Sequence, residues 1–256
     1  MKDNRTDYNT IASTYNQRYN VDKLDGIAKA LNELIARDKP NNVLEVGCGT
    51  GRWLADLNLP NTLTIGLDRS RNMITQARQN KISVPYVNGD AISIPVKDSS
   101  FDFVYCVNAI HHFSSTLLFI NEANRILKKN GILAIIGFDP HDEDNEWYVY
   151  EYFENIFKND LSRYPSWNSL KTMSKNLGFI QIDFKQVEKI YRSYKGENIF
   201  NDPFLLKHNT SQLASLSDDE YSIGIENLKT KIRNDSETVF TSKFIFRVLT
   251  LQLTTK

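Results

Sequence analysis

The spacing of apolar and polar positions changes several times along the chain, and each change predicts an element. From Asn42 a short apolar run with β-branched residues stops at Gly47, and glycines alternate at Gly47, Gly49 and Gly51. Trp53, Leu54 and Leu57 then share one side of a helical pattern, so the stretch reads as strand, glycine turn and helix. Thr62 to Asp68 is a second apolar run, ending in an acid. Ser83 to Asn88 is a short third strand candidate, Phe101 to Val107 a fourth, and Gly131 to Gly137 a fully apolar fifth. Helical spacings lie between them. Leu24, Ile27, Ala28, Leu31, Leu34 and Ile35 mark a helix over 21–38 that Asp38-Lys39-Pro40 ends. Ser70 can cap a helix carrying Met73, Ile74 and Ala77. Leu118, Ile120, Ala123, Ile126 and Leu127 mark one over Thr116 to Lys129, with lysines in its last turn, where they suit the negative helix end. Alternating strands and helices predict a parallel sheet with helices on both faces.

The two ends of the chain depart from this rhythm. In 1–20, Tyr8, Ile11, Tyr15 and Tyr19 recur at helical spacing on polar sequence, which reads as packing onto the body or as a lid. After Gly137 come an acidic loop (Asp139 to Trp147), an aromatic helix (Trp147 to Leu161), a second helix (Trp167 to Asn176) and a strand (Phe179 to Val187). Residues 188–210 are irregular and aromatic; Ser217 to Glu220 is a capping-box signature for a helix to about Ile232, and Lys243 to Leu253 is a last strand. The expected organisation is a single domain, 1–256, with an N-terminal lid segment at 1–20 and a cap insertion at 188–243.

Composition narrows the setting. A length of 256 residues suits one large domain with an insertion, and 41% hydrophobic residues can fill its core. Basic and acidic residues number 31 each, so the broad positive footprint of a nucleic-acid or anionic-membrane binder is missing, although a local patch stays open. The two cysteines, Cys48 and Cys106, sit in apolar strand-end contexts and read as reduced thiols. No apolar run is long enough to span a membrane, and the first residues are polar. A cytoplasmic protein is expected. The oligomeric state is left open.

The candidate chemistry clusters at the strand ends. Glycines let the backbone bend and let a ligand approach closely. Asp68 follows Gly51 by 17 residues, a distance that suits an acid accepting hydrogen bonds from both hydroxyls of a ribose. Gly47, Asp68, Asp90 and Asn108 all stand just past the carboxyl ends of predicted strands, where parallel sheets bind ligands. The expected ligand is a nucleoside-bearing cofactor. The nicotinamide fingerprint G-x-G-x-x-G is not met, because position 52, where its last glycine would fall, holds no glycine, and Trp53 and Leu54 come next.

The stretches LEVGCGTGRWL, GLDRSRNMITQAR, VNGDAISIPVKDSSFDFVYCVNAIHHF and EANRILKKNGILAIIGF resemble class I S-adenosylmethionine-dependent methyltransferases. The likeness is strongest to the small-molecule branch typified by the ubiquinone and menaquinone biosynthesis methyltransferases. It covers residues 42–138, with Tyr8, Ile11, Ala12 and Tyr15 before them. It implies a Rossmann-like α/β fold: a doubly wound, seven-stranded, mostly parallel sheet with helices on both faces, an antiparallel last strand and a helical cap. It also implies S-adenosyl-L-methionine as methyl donor and S-adenosyl-L-homocysteine as product. By the resemblance, Gly47, Cys48, Gly49 and Gly51 line the methionine part and Glu45 supports that loop and the bound ammonium. Asp68 holds the ribose hydroxyls and Arg69 flanks the adenine. Asp90 takes the adenine amino group, the Ala91 N–H meets a ring nitrogen, and Asn108 leads the substrate-side loop.

Departures matter as much. Nucleobase amino-group methylases resemble one another in an Asn/Asp-Pro-Pro-aromatic stretch after the fourth strand, where this chain reads Asn108-Ala109-Ile110-His111. Metal-dependent methyltransferases resemble one another in an acid at the end of that strand, where Asn108 stands. The His-His-Phe region also resembles a tRNA wobble-base methyltransferase, and zero net charge argues against that reading. Residues 188–243 carry no motif of the family. The acceptor is therefore expected to be a small molecule, with tRNA open and no membrane insertion. A non-catalytic S-adenosylmethionine-binding partner protein is the other alternative.

His111 and His112 read as packing histidines, or His112 as a substrate orienter or general base, since an imidazole titrates near neutrality. Tyr15 is the other candidate on the acceptor side. Asp139 to Asp144 with His141 reads as a solvated acidic loop, not a metal site. The aromatic face of 148–157 reads as core or as the wall of an apolar pocket. Cys48 reads as small and buried, not as a nucleophile. Displacement at a sulfonium needs alignment and exclusion of water, and a base only if the acceptor must lose a proton. That matches a detailed cofactor motif without an evident catalytic dyad.

Overall fold

Strands at the centre of the sheet are apolar on both faces, which is what a sheet covered by helices on each side requires. The computed structural model describes residues 23–57, 62–80 and 84–254. The predicted lid with Tyr8, Tyr15 and Tyr19 lies outside them, as does the loop at Pro60. Strands β1 (Asn42–Val46), β2 (Leu63–Asp68), β3 (Tyr86–Asn88), β4 (Phe101–Val107) and β5 (Leu127–Gly137) run parallel in the order β3-β2-β1-β4-β5. Beyond β5 lies β8 (Val239–Leu253), antiparallel to it and also to β6 (Glu146–Trp147) and β7 (Phe179–Lys195). The sheet has eight strands among the described residues, not seven; the extra one is the two-residue β6, which takes up β8 at Ser242 and Lys243, past the end of its pairing with β5.

Alternation along β1 and β4 builds two cores. Leu44, Val46, Val104 and Cys106 face one way, onto Phe119, Ile120 and Ala123 of α4 (Thr116–Ile126) and Trp167 and Leu170 of α7 (Trp167–Asn176). Val43, Phe103 and Tyr105 face the other way, onto Ile27, Leu31 and Leu34 of α1 (Asp25–Asp38) and Trp53 of α2 (Arg52–Asp56). Helix α3 (Arg71–Gln79) buries Met73, Ile74 and Ala77, and Ser70 caps it by accepting from the Met73 N–H. The order of strands reverses between β1 and β4, which creates a crevice at their carboxyl ends.

The later half corrects the sequence reading in three places. Residues 188–195 are not irregular: β7 runs on to Lys195 and β8 starts at Val239, so the insertion between them is 196–238. The two strands pair along nearly their whole length, with register shifts at Gln181/Asp183 and Gln186/Glu188. The predicted helix over Trp147 to Leu161 is broken into β6, α5 (Val149–Tyr152) and α6 (Ile156–Arg163), with Asn155 at φ 65° between the helices. Helix α4 stops at Ile126, because Leu127 is already extended and begins β5.

The cap has a core of its own. Trp147, Phe153, Ile199, Leu205, Phe240 and Phe244 pack together with Leu213 of α8 (Ser211–Ala214) and Leu228 of α9 (Asp218–Asn234). Ser217 and Glu220 close a capping box on α9, as the sequence predicts. Two buried carboxylates pin the cap. Asp202 accepts from Tyr148 Oη at 2.9 Å, Arg192 Nη1 at 3.0 Å and the Phe204 N–H at 2.9 Å. Asp160 accepts from Tyr150 Oη at 2.9 Å, Gln212 Nε2 at 3.0 Å and Arg163 Nη2 at 3.0 Å. Buried charge is tolerated when it is paired and fully hydrogen-bonded, as both are here.

Candidate functional site

The glycine turn folds as it does because three residues in it have positive φ: Gly47 at 75°, Gly49 at 53° and Gly51 at 78°. Side chains with a Cβ rarely take that region. At Gly47 close approach adds to the requirement. A Cβ there would meet Ala109 Cβ at 2.6 Å, so the turn after β1 rests directly against the turn after β4. The N–H groups of Gly47 and Cys48 both donate to Leu67 O, at 2.8 and 3.0 Å, which ties the loop to the end of β2.

Asp68 completes that tie. Its Oδ2 accepts from the Gly49 N–H at 2.8 Å and its Oδ1 from the Ser70 N–H at 2.8 Å. Burial pushes its carboxyl up, and the N–H donors of Ser70, Gly49 and Arg69 oppose that. A carboxylate has about four lone-pair directions, so the measured bonds from Gly49 and Ser70 leave acceptor capacity for a further hydroxyl donor. Asn88 buttresses the same corner, donating to Asp68 O at 3.0 Å and Arg69 O at 2.9 Å while accepting from Arg71 Nε at 3.1 Å. Sequence reading missed Asn88, though its place at the end of β3 was the available signal. The Arg69 side chain is exposed beside this corner. Asp90 shapes the next turn by accepting from the Ile92 N–H at 3.2 Å, and Ala91 is buried behind it.

Glu45 lies fully buried under the glycine turn. Tyr105 Oη donates to its Oε2 at 3.2 Å, whereas Oε1 has no partner among the described residues. Burial first, and then the nearby Asp68 and Asp56, push its carboxyl well above the usual range against the Tyr105 bond. Tyr86 Oη is likewise buried without a partner among the described residues, and burial raises its phenol to about 12. An orphaned buried acceptor is costly unless a donor arrives. Cys48 and Cys106 are free and buried, and burial drives both thiols up, which leaves them inert.

On the β4 side, Asn108 turns the chain with φ 49° and donates its N–H to Ile136 O at 2.9 Å. A 3₁₀ turn, Ile110–His112, follows. His111 is the buried histidine, stacked on Tyr164 with centroids 3.9 Å apart and planes 11° from parallel. His112, the residue singled out from the sequence, is half-buried with its ring 3.9 Å from that of His111. Tyr164 was not foreseen. Its Oη accepts from Gln212 Nε2 at 3.1 Å, and Gln212 also reaches Asp160, so a polar chain runs from the cap to the histidine turn. Tyr15 lies outside the described residues.

The acidic loop after β5 corrects another expectation. Asp139 is not solvated but buried, accepting from the His141 N–H at 2.8 Å and the Trp167 N–H at 2.9 Å and lying 2.8 Å from His141 Nδ1. Its neighbours Asp142 and Asp144 pair with Arg247 at 2.9 and 3.0 Å. Among the described residues no group of three or more potential ligands is placed to hold a metal ion.

The structure thus brings Glu45, the Gly47–Gly51 turn, Asp68, Arg69, Asp90, Ala91 and Asn108 to the carboxyl ends of β1 to β4. Known proteins give this arrangement a context. Residues 44–135 match the methyltransferase domain family. The chain is 33% identical over 104 residues to the demethylmenaquinone methyltransferase of Staphylococcus aureus (strain JH9). That match takes in 38% of this chain and spans 43% of the relative's length. A SAM-dependent methyltransferase from Thermotoga maritima shares the fold, with TM-score 0.57 and 22% identity over 97% of this chain and 98% of the other. The cyclase SpnF shares it too, with TM-score 0.53 and 20% identity over 87% and 79% of the two chains. No helix among the described residues is long and apolar enough to cross a membrane.

Proposed function

We propose that this protein transfers the methyl group of S-adenosyl-L-methionine to a small-molecule acceptor. The fold does not choose the reaction, since a cyclase shares it. The observation that carries the reading is the joint made by Asp68 and the glycine turn, inside the segment that matches the methyltransferase domain. A carboxylate already fixed by Gly49 and Ser70 presents its remaining lone pairs without further ordering, which is the preorganisation a ribose diol needs. The buried Oε1 of Glu45 supplies a second fit: an acceptor lacking a donor, beneath a turn that would receive an ammonium-bearing tail.

On this reading Gly47, Cys48, Gly49 and Gly51 line the methionine part and Glu45 answers its ammonium. Asp68 holds the ribose, Arg69 flanks the adenine, and Asp90 with the Ala91 N–H reads the adenine edge. The bound donor supplies a sulfonium methyl group that leaves by direct displacement. The chain's contribution is alignment and dryness. Asn108, forced into a left-handed turn, sets the direction of the His111–His112 turn. His112 is proposed to orient the acceptor or hold a proton, Tyr15 to close over it, and the cap insertion to supply the acceptor's surroundings. Free thiols at Cys48 and Cys106 support a reducing compartment such as the cytoplasm.

The test is turnover with a labelled methyl donor across a panel of phenols, quinols, amines and carboxylic acids, reading S-adenosylhomocysteine release. Acceptor-dependent release that is lost in Asp68→Ala supports the proposal. Saturable donor binding without release on any acceptor, including bulk tRNA, overturns the enzymatic reading.

A further inference from the structure

The turn that carries Asp90 and Ala91 gets little support from the sheet. It leaves β3, which is three residues long, lies at the end of the sheet and pairs with β2. The turn closes locally: the Ser93 N–H donates to Asp90 O at 3.1 Å and the Ile92 N–H to Asp90 Oδ1 at 3.2 Å. A Cβ on Gly89 would meet Pro95 Cδ at 3.0 Å, so the Pro95 ring lies close against the start of the turn. Ala91 and Ile94 are buried in the first core. These contacts shape the turn, but something else must fix it to the body.

Two side chains one turn apart on α4 do so. Glu122 Oε2 accepts from the Ile94 N–H at 2.7 Å, and Arg125 Nη2 donates to Ile94 O at 2.8 Å, so α4 holds both backbone polar groups of Ile94. Arg125 Nη1 donates to Val96 O at 2.9 Å and to Asp98 Oδ1 at 2.7 Å. The pair is itself forked, Nε to Glu122 Oε1 and Nη2 to Glu122 Oε2, both at 2.8 Å. A guanidinium has five N–H donors in one plane, and these bonds supply an acceptor for each. The Arg125 guanidinium holds the Glu122 carboxyl below its usual range against burial, helped by the Ile94 N–H. Docking α4 does not need this network, because Phe119, Ile120, Ala123 and Ile126 already bury its apolar face.

We infer that Glu122 and Arg125 are positioning residues for adenine recognition: from α4 they fix the Asp90–Ser93 turn, and with it the Asp90 carboxylate and the Ala91 N–H. The inference rests on the adenine assignment made above. Neither residue is given a contact with the donor; both act through Ile94, four residues from Asp90. Hydrogen bonds weaken steeply when distance or angle drifts, so a loosened turn loses its reading of the base edge first. Lysine cannot replace the arginine here, since one ammonium cannot meet a carboxylate in a fork and two carbonyls in the same plane.

The experiment measures, by calorimetry on the full chain, the affinities of S-adenosylhomocysteine and of its inosine-type analogue, which lacks the amino donor. Wild type should prefer the amino form at least about tenfold. Arg125→Lys should narrow that preference at least about threefold, and Glu122→Gln, which cannot accept from both Ile94 and Arg125 as a carboxylate does, should narrow it in the same direction. In an Asp90→Asn background Arg125→Lys should narrow it by less than in wild type, because the two changes act on one contact. Urea unfolding confirms that each variant is folded. A merely structural role weakens both ligands alike, so an unchanged preference in both folded variants overturns the inference and leaves the adenine assignment standing. A wild-type chain that binds both ligands equally, or neither, overturns the assignment and the inference with it.

Discussion

Replacing Asp68 by alanine removes one side chain and releases two elements. Its carboxylate is the acceptor for the Gly49 and Ser70 N–H groups, both at 2.8 Å. Bonds to a charged group are worth about 1.5–3 kcal/mol each and neutral ones about 0.5–1.5 kcal/mol. The upward shift of this carboxyl shows that burial outweighs those bonds in the balance between charged and neutral forms. The lower figure is therefore the safer one, and two bonds give a loss of about 1–3 kcal/mol in folding stability. Urea unfolding measures that directly. Donor affinity should fall by at least about tenfold, or 1.4 kcal/mol, through loss of the ribose acceptor, read by calorimetry with S-adenosylhomocysteine. Asp68→Asn separates the two effects. Its amide oxygen can still accept one N–H, while its NH₂ confronts the other, so it should be more stable than the alanine variant yet remain weak in binding. Protonation gives the same answer without mutation. Because the carboxyl is raised, donor affinity should begin to fall at a pH above that of an ordinary aspartate, about 3.9. A folded Asp68→Ala protein with wild-type affinity would refute the ribose assignment, and wild-type stability would refute the joint.

Four further outcomes follow from neighbouring residues. Glu45, raised by burial, binds its proton more tightly folded than unfolded, so its contribution is full below the ordinary glutamate value and is lost as pH rises through the raised one. Urea titrations should show stability falling with pH above about 4.3, at a slope of up to about 1.4 kcal/mol per unit, with Glu45→Gln removing this part; Tyr105→Phe should cost about 1–3 kcal/mol by orphaning Oε2. Gly47→Ala combines a positive φ with a 2.6 Å contact to Ala109 Cβ, and should lower the melting temperature and abolish S-adenosylhomocysteine binding, whereas unchanged binding would mean the two turns are free to separate. Asp90→Asn should reduce discrimination between S-adenosylhomocysteine and its inosine-type analogue, which lacks the amino donor; equal discrimination in both proteins would remove Asp90 as the adenine reader.

How far the sequence could be read follows from how local each signal is. The β1-turn-α2 unit and Asp68 were legible because apolar runs, alternating glycines and a terminal acid lie within one short span. The extension of β7 was not, because Glu188, Lys189, Arg192 and Lys195 interrupt any apolar alternation on a strand whose hydrogen bonds come from β8 alone. Asn155 broke the aromatic helix through a left-handed conformation that asparagine tolerates and that periodicity does not report. Asp139 read as part of a solvated loop, and Asp160 and Asp202 gave no signal, since donors such as Trp167, Gln212 and Tyr148 stand far from them in the chain. For the same reason His112 drew notice from its position, while the stack of His111 on Tyr164 became visible only once α6 and the β4 turn were brought together.

The central claim is that a nucleoside-bearing methyl donor lies across the ends of β1 to β4. Hydrogen exchange of the full chain with and without S-adenosylhomocysteine tests it most directly. The account predicts slowed exchange in the peptides carrying Gly47–Gly51, Asp68–Ser70 and Asp90–Ile92 together, with the α9 peptides unchanged. Protection confined to the cap, or absent from the glycine turn at saturating ligand, would contradict it.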